Sequence, residues 1–186
     1  KDLVFALLES GCNCRSPDAS GQYPLHLAAS GSGNNNVGPD VEDRNRIECV
    51  RLLIEVGKVP LSMKNASKQT VLHCAARAGH EKLLLYLMES WRKDHSIKPN
   101  KLWGPSKFDW QDHWYRTPVH WSVLNGNVTA LKILLTQCNA TPPLPKKSQN
   151  RSSVAIESPL EMCQRLYENN SDVGDQMKQL LLDNSL

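Results

Sequence analysis

The chain has 186 residues, 40% of them hydrophobic, which is enough to bury the core of one domain or of one short repeat array. Its formal net charge of +3 is small, which disfavours nucleic acid as the main partner because nucleic-acid-binding domains carry a denser basic face. Since no apolar run reaches the length that a bilayer span needs, we expect no contact with a membrane.

The six cysteines point to free thiols rather than to a metal site. Cys49, Cys74 and Cys163 lie inside apolar helical patterns, where cysteine behaves as a small buried hydrophobe. Cys12 and Cys14 form a C-x-C pair that lacks the second pair needed to complete a zinc site. We therefore predict no metal, no cofactor and a reduced compartment, either the cytoplasm or the nucleus.

The first segment, residues 1–11, has the apolar spacing of a helix but begins without a residue that could cap one. It resembles the second half of a helical unit. We therefore predict a half repeat here, and we expect preceding polypeptide to continue the same stack.

A motif built around one histidine then recurs along the chain. Residues 23–29 (YPLHLAA), 70–76 (TVLHCAA) and 117–123 (TPVHWSV) align, with a degenerate copy at 158–163 (SPLEMC). The histidines of the three clear copies are 47 residues apart both times, and an apolar helical segment follows each copy. The three repeated histidines are His26, His73 and His120.

These copies resemble the ankyrin repeat, whose sequence mark is T-P-L-H-x-A-A, then G-H, then an apolar second helix. Gly79-His80 and Gly126-Asn127 occupy the turn between the two helices. The resemblance implies an all-α solenoid, one array over 1–186, made of helix-turn-helix units joined by hairpins. The expected units are the half repeat, repeats at 18–57, 65–91 and 112–138, and a capping repeat at 158–184.

The motif residues have structural roles in this interpretation. Threonine can cap the first helix, and proline at its first position lacks an N–H that would have no partner there. The repeated histidine is predicted to bridge backbone groups of neighbouring units. Small residues let paired helices approach closely, and each unit buries its apolar face only by stacking on the next.

The 47-residue period exceeds the usual period of about 33 residues, so the array must hold insertions. We predict them at 31–43, a polar and glycine-rich segment, and at 92–107, a basic and aromatic one. A third segment, 141–153, is rich in proline and lysine and reads as an extended linker. Such insertions are either tolerated changes of loop length or additions to a binding face.

The aromatic residues are concentrated in one part of the chain, because all five tryptophans lie between residues 91 and 121. Trp, Tyr and Arg dominate interface hot spots. Trp121 follows the repeat histidine and is expected in the core, while Trp91, Trp103 and Phe108 have the alternative of a satellite core that pins the loop. The residues predicted to contact a partner are Trp103, Phe108, Trp110, Trp114, Tyr115, Arg116, Arg77, Asn125, Gln22 and Lys68.

The resemblance implies a non-catalytic module that binds another protein or a peptide segment through hairpin tips and the concave face of the first helices. An acidic or proline-containing ligand would suit the basic and aromatic loop. No catalytic motif occurs in the sequence. The alternatives are a structural part of a permanent assembly and nucleic-acid binding through interleaved Trp and Lys.

Overall fold

The computed structural model describes residues 1–31, 39–93, 110–138, 157–168 and 172–184. Within these ranges all regular secondary structure is helical, which confirms the predicted all-α class. The helices are α1 (Asp2–Glu9), α2 (Pro24–Ser30), α3 (Pro39–Glu55), α4 (Val71–Ala78), α5 (Glu81–Lys93), α6 (Pro118–Leu124), α7 (Val128–Cys138), α8 (Pro159–Leu166) and α9 (Asp172–Asp183).

The helices form two layers. The first helices α2, α4, α6 and α8 pack in series, each on the next, and the second helices α1, α3, α5, α7 and α9 do the same. Each first helix also packs on the second helix of its own unit. The core lies between the layers, where Leu25, Leu72, Leu84 and Leu131 are at most 1% exposed. Because contacts reach only neighbouring units, stability comes from stacking.

The first helices begin where the sequence predicts. Proline occupies the first turn of α2, α6 and α8. In α8 the cap is reciprocal, because Glu161 N–H donates to Ser158 Oγ and Ser158 N–H donates to Glu161 Oε2. In α4 and α6 a histidine replaces that glutamate: His73 Nδ1 accepts from Thr70 N–H, and His120 Nδ1 accepts from Thr117 N–H.

The repeated histidines connect one unit to the next. Since Nδ1 of His73 accepts a backbone N–H, its proton lies on Nε2, which donates to Arg116 O at 3.1 Å. His120 Nε2 reaches Glu157 O at 3.1 Å in the same way. His26 Nε2 lies 2.9 Å from Gln69 O, but its buried Nδ1 has no hydrogen-bond partner among the described residues, and Tyr23 stands where the next two units have threonine.

Two predicted boundaries and one predicted burial differ from the structure. The last five residues of the insertion predicted at 31–43 belong to a helix, because α3 already begins at Pro39. A proline at a helix start and acidic residues after it favour that position. Helix α5 continues to Lys93, into the segment expected to be an insertion. Cys49 is half-buried rather than buried, whereas Cys74 and Cys163 are buried as predicted.

The aromatic insertion is described only at its edges. Trp91 is fully buried in the main core rather than in a satellite cluster. Trp103 and Phe108 lie outside the described residues, as does the linker predicted at 141–153.

Candidate functional site

Within the described residues, three hairpin tips lie between consecutive units: the first tip (18–22), the second tip (65–69) and the third tip (112–116). In each tip the N–H of the first residue donates to the carbonyl of the last, at 2.8, 3.0 and 2.9 Å respectively. The fourth residue of each tip has a left-handed backbone, with φ of 71° at Gly21, 59° at Lys68 and 61° at Tyr115. Lysine and tyrosine thus hold a conformation that favours glycine, at a cost of about 1 kcal/mol each.

The third tip is organised by one buried carboxylate. Asp112, 4% exposed, accepts the N–H groups of Trp114 and Arg116 on Oδ1, both at 2.9 Å. Its Oδ2 accepts the indole Nε1–H of Trp121 at 2.8 Å. The three donors satisfy the carboxylate without a cation. Asp112 therefore fixes the tip and the ring of Trp121 in one arrangement.

Trp121 is the centre of a basic and aromatic cluster on this face. The guanidinium carbons of Arg77 and Arg116 lie 5.7 and 5.5 Å from the centroid of its ring, within the range of cation–π attraction. The ring of Trp114 meets Trp121 edge-on at 6.4 Å, and Trp114 is 50% exposed. The cluster thus joins the third tip to α4 and α6 and offers both apolar surface and positive charge.

The neighbouring carboxylates form their hydrogen bonds with groups other than these two guanidinium groups. Asp112 is engaged by N–H donors, and Glu157 is held by Arg165 through contacts of 2.7 and 2.9 Å. Within the described ranges neither Arg77 nor Arg116 forms an ion pair. Two guanidinium groups, of the exposed Arg77 and the half-buried Arg116, therefore lie beside one indole ring without an ion-pair partner among the described residues, which is an arrangement suited to an anionic group.

A second contact between a basic and an aromatic side chain lies directly before the second and third tips. Lys64 Nζ lies 4.4 Å from the centroid of the half-buried Trp110, whose ring meets Trp91 edge-on at 6.3 Å. Burial, and secondarily the positive charge of Lys68, lowers the pKa of Lys64. The repulsion from Lys68 shows that basic groups are crowded at the second tip as well.

The other residues predicted to contact a partner lie outside this cluster. Tyr115 is 48% exposed at the third tip, and Lys68 is exposed at the second. Gln22 is half-buried in the first tip, where its Oε1 accepts from Asn65 Nδ2 at 2.9 Å. Asn125, exposed at the end of α6, donates from Nδ2 to Trp121 O at 2.9 Å. The structure brings Arg77, Trp114 and Arg116 together and leaves the rest apart.

The sequence interpretation was wrong about Trp121, which is half-buried at the centre of the cluster rather than in the core. It also passed over Lys64 as a contact of Trp110. Position gave no clear signal, because the residue after the repeat histidine is 47% exposed as Leu27 in the first full unit but 1% exposed as Cys74 in the second.

Comparison with known proteins agrees with this architecture. The family description "Ankyrin repeats (3 copies)" matches residues 1–101, and the chain belongs to the ankyrin-repeat family. Ankyrin repeats are generally protein–protein interaction modules.

Among curated proteins, the chain is similar to Inversin from Homo sapiens, with 31% identity over 75% of this chain and 18% of that protein. Inversin from Canis lupus familiaris is 31% identical over 75% of the chain and 17% of its own length, and Inversin from Mus musculus 30% over 75% and 18%. The chain thus spans less than a fifth of the length of these relatives.

In the parts that the structure describes, there is no group of three or more side chains that could hold a metal ion. Nor is any helix of the described residues long and apolar enough to cross a membrane.

Proposed function

We propose that this chain is a binding module that holds an acidic peptide segment of a partner protein on the face formed by the third tip, α4 and α6. The observation that carries the proposal is the pair of guanidinium groups, Arg77 and Arg116, beside the ring of Trp121 without an ion pair among the described residues. Carboxylates of the ligand would bridge these groups in charge-assisted hydrogen bonds.

The aromatic residues supply the apolar part of the same surface. Trp114 and Tyr115 are about half exposed, and large rigid side chains of this kind bury much area at low entropic cost. Lys64 and Lys68 extend the positive surface toward the second tip. An extended segment that combines Glu or Asp with an apolar residue would satisfy both chemistries.

The histidines support binding over catalysis. The three repeat histidines hold carbonyl groups of the following units, and burial lowers the pKa values of His73 and His120 to about 4. Such groups stay neutral at physiological pH and serve the joint between units rather than proton transfer.

The test is a fluorescence-anisotropy titration with a labelled peptide of alternating Glu and Pro and with its isostere in which Gln replaces Glu. Wild-type protein should bind the Glu peptide at least about tenfold tighter, since charged hydrogen bonds at an interface contribute on the order of 1.4 kcal/mol or more. The double variant Arg77→Gln/Arg116→Gln should abolish the difference. The double variant Trp114→Ala/Tyr115→Ala should weaken both peptides.

The matched control is Lys132→Gln/Lys178→Gln, which removes the same net charge from exposed positions on α7 and α9. Equal losses in the control and in the arginine variant would mean unspecific attraction and would overturn the proposal. Equal competition by single-stranded DNA would overturn it too, in favour of a nucleic-acid surface.

A further inference from the structure

Two side chains of opposite charge occupy equivalent positions in consecutive units. Arg116 directly precedes Thr117, the N-cap residue of α6, and Glu157 directly precedes Ser158, the N-cap residue of α8. The backbone carbonyl of each accepts Nε2–H from the repeat histidine of the unit before it. Glu157 therefore lies one unit further along the stack than Arg116, at the same place relative to the first helix.

Side chains at this position reach from one unit to the next. In the preceding pair of units the position holds Gln22 and Gln69, which precede α2 and α4. Asn65 Nδ2 donates to Gln22 Oε1 at 2.9 Å and to Gln69 Oε1 at 3.3 Å, so the two side chains converge on one nitrogen atom. Since α6 packs on α8 as α2 packs on α4, and arginine is longer than glutamine, the guanidinium group of Arg116 is within reach of the Glu157 carboxylate.

The carboxylate of Glu157 binds a different arginine instead. Arg165, in the last turn of α8, donates from Nε to Glu157 Oε1 at 2.7 Å and from Nη2 to Glu157 Oε2 at 2.9 Å. Two parallel bonds of this kind are the favoured geometry of an arginine–carboxylate pair. The hydrogen bonds from Arg165 lower the pKa of Glu157 most, and the positive charge of Arg116 also lowers it. Glu157 is thus close enough to Arg116 to interact with its charge while it is bonded to Arg165.

Arg116 has no ion pair among the described residues as a result. Its guanidinium carbon lies 5.5 Å from the centroid of the Trp121 ring. The other carboxylate beside it, Asp112, accepts N–H donors on both of its oxygens. The charge of Arg116 therefore depends on which arginine holds Glu157.

We propose that Arg165 is a positioning residue that binds both oxygens of Glu157, keeps this carboxylate away from Arg116 and so leaves Arg116 open to an acidic ligand. The inference rests on the proposed function and names what regulates the same site. When Arg165 is neutralised or bound by another anion, Glu157 turns to Arg116 and occupies the site from within the chain. An anionic group that binds Arg165 thus weakens the binding of an acidic peptide without contacting the peptide.

The first measurement needs no ligand. The pKa of Glu157 is followed by carbon-13 NMR of its carboxyl group. In Arg165→Gln it should stay below its usual range, because Arg116 takes the place of Arg165. In the double variant Arg116→Gln/Arg165→Gln it should rise to the usual range. Arg116→Gln alone should change it little, because Arg165 still holds the carboxylate.

The second measurement uses the labelled peptide of alternating Glu and Pro. Arg165→Gln should weaken its binding about threefold or more, since an ion pair within the chain then competes for Arg116. Adding Glu157→Gln to Arg165→Gln should restore binding to within about 1.5-fold of wild type, because the competing carboxylate is gone.

Two controls separate this competition from net charge. Lys178→Gln removes the same charge as Arg165→Gln from an exposed position on α9 and should weaken binding by less than about 1.5-fold. Glu168→Gln, added to Arg165→Gln, removes an exposed carboxylate just beyond α8 and should leave binding weak. Equal recovery with Glu157→Gln and with Glu168→Gln would overturn the proposal, since both remove the same charge.

Two further results would overturn it. One is an Arg165→Gln variant that binds the Glu peptide as tightly as wild type does. The other is a Glu157 pKa that lies in the usual range in Arg165→Gln and does not depend on Arg116. If wild-type protein does not prefer the Glu peptide to its Gln isostere, the proposed function fails, and the NMR titration still decides whether Arg165 keeps Glu157 from Arg116. Since the Arg165 side chain is 57% exposed, its substitution should leave the circular dichroism spectrum unchanged.

Discussion

The second tip (65–69) and the third tip (112–116) share one backbone but differ in their side chains. Both close with an N–H to carbonyl bond, both hold a non-glycine residue at positive φ, and both receive Nε2 of a histidine from the preceding unit. The second tip exposes Lys68 and the small Ala66, while the third exposes Trp114 and Tyr115.

The residues that hold each turn in shape differ from the residues that the turn exposes to solvent. The first residue, Asn65 or Asp112, uses its Oδ1 to accept backbone N–H groups of its own turn, so the shape of the turn does not depend on the exposed residues. In the third tip Oδ2 of Asp112 accepts the indole N–H of Trp121, whereas Asn65 has an amide nitrogen at that place, which donates to Gln22 Oε1. The same turn therefore serves as a plain connection in one unit and as a platform for aromatic residues in the next.

Lowering the pH should have the largest effect on stability, because it acts on the histidines that form hydrogen bonds between neighbouring units. Burial lowers the pKa of His73 and of His120 to about 4, so the folded protein keeps them neutral while the unfolded chain binds protons below pH 6.5. Stability is thus complete above pH 6.5 and falls between pH 6.5 and 4. The expected loss at pH 5 is roughly 2 kcal/mol for each of the two, measured by urea unfolding at pH 7 and pH 5.

The variant His73→Gln tests how much of that acid-induced loss of stability comes from the histidine that bonds to the third tip. It should be less stable than wild type at pH 7, because Arg116 O and Thr70 N–H lose their partner, and should show a smaller drop between pH 7 and 5. An unchanged drop would mean that His73 is not protected from protonation by the fold.

Exchanging the residues that begin the second and third tips, Asn65 and Asp112, should have the next largest effect on stability. Asp112→Asn places an amide donor opposite Trp121 Nε1–H and should cost about 1–3 kcal/mol. Asn65→Asp removes the amide that donates to the side-chain oxygens of Gln22 and Gln69. It should cost about 1 kcal/mol, since both glutamine amides can rotate and donate instead.

Thermal unfolding of the two variants beside wild type measures the difference. Only Asp112→Asn should also change the tryptophan fluorescence of the folded state, because it alone alters the surroundings of an indole. If Asn65→Asp proved the more costly, the carboxylate of Asp112 would not be what organises the third tip.

Glycine at the strained position should have the smallest effect on stability. Lys68→Gly and Tyr115→Gly both relieve a positive φ and should each stabilise the backbone by up to about 1 kcal/mol. For Tyr115 the side-chain contacts that are lost offset part of this gain. Anisotropy should show a larger loss of acidic-peptide binding for Tyr115→Gly, which removes a half-exposed ring of the third tip, than for Lys68→Gly, which removes one charge at the edge of the proposed surface. A loss of the same size in both variants would contradict the separation of turn from surface.

Most of the fold could be predicted from the sequence, because the repeat motif is local and occurs several times. The sequence did not predict that α3 begins at Pro39, because the glycines before that residue suggested a loop. The proline and the acidic residues after it are typical of a helix start. The repeat period alone does not predict how far the side chain of Trp121 is buried. Its position in the repeat is exposed as Leu27, closed as Cys74 and half-buried as Trp121, so its burial depends on the neighbouring unit rather than on the motif.

The candidate site was predictable in part for a similar reason. A concentration of tryptophan and arginine identifies the region, and repeat positions identify which of these residues lie on tips. The pairing of Arg77 with Trp121 joins two first helices across a unit boundary, and one sequence shows no sign of it.

The histidine joints also bear on how such a chain can change in evolution. The hydrogen bond from the histidine to the next unit closes a loop of 43 residues between His26 and Gln69 but of 37 residues between His120 and Glu157. The closure entropy of these two lengths differs by only about 0.1 kcal/mol. Insertions, deletions and substitutions between these hydrogen bonds therefore cost little stability. The exposed segments can change in evolution while the stacking of the units is retained.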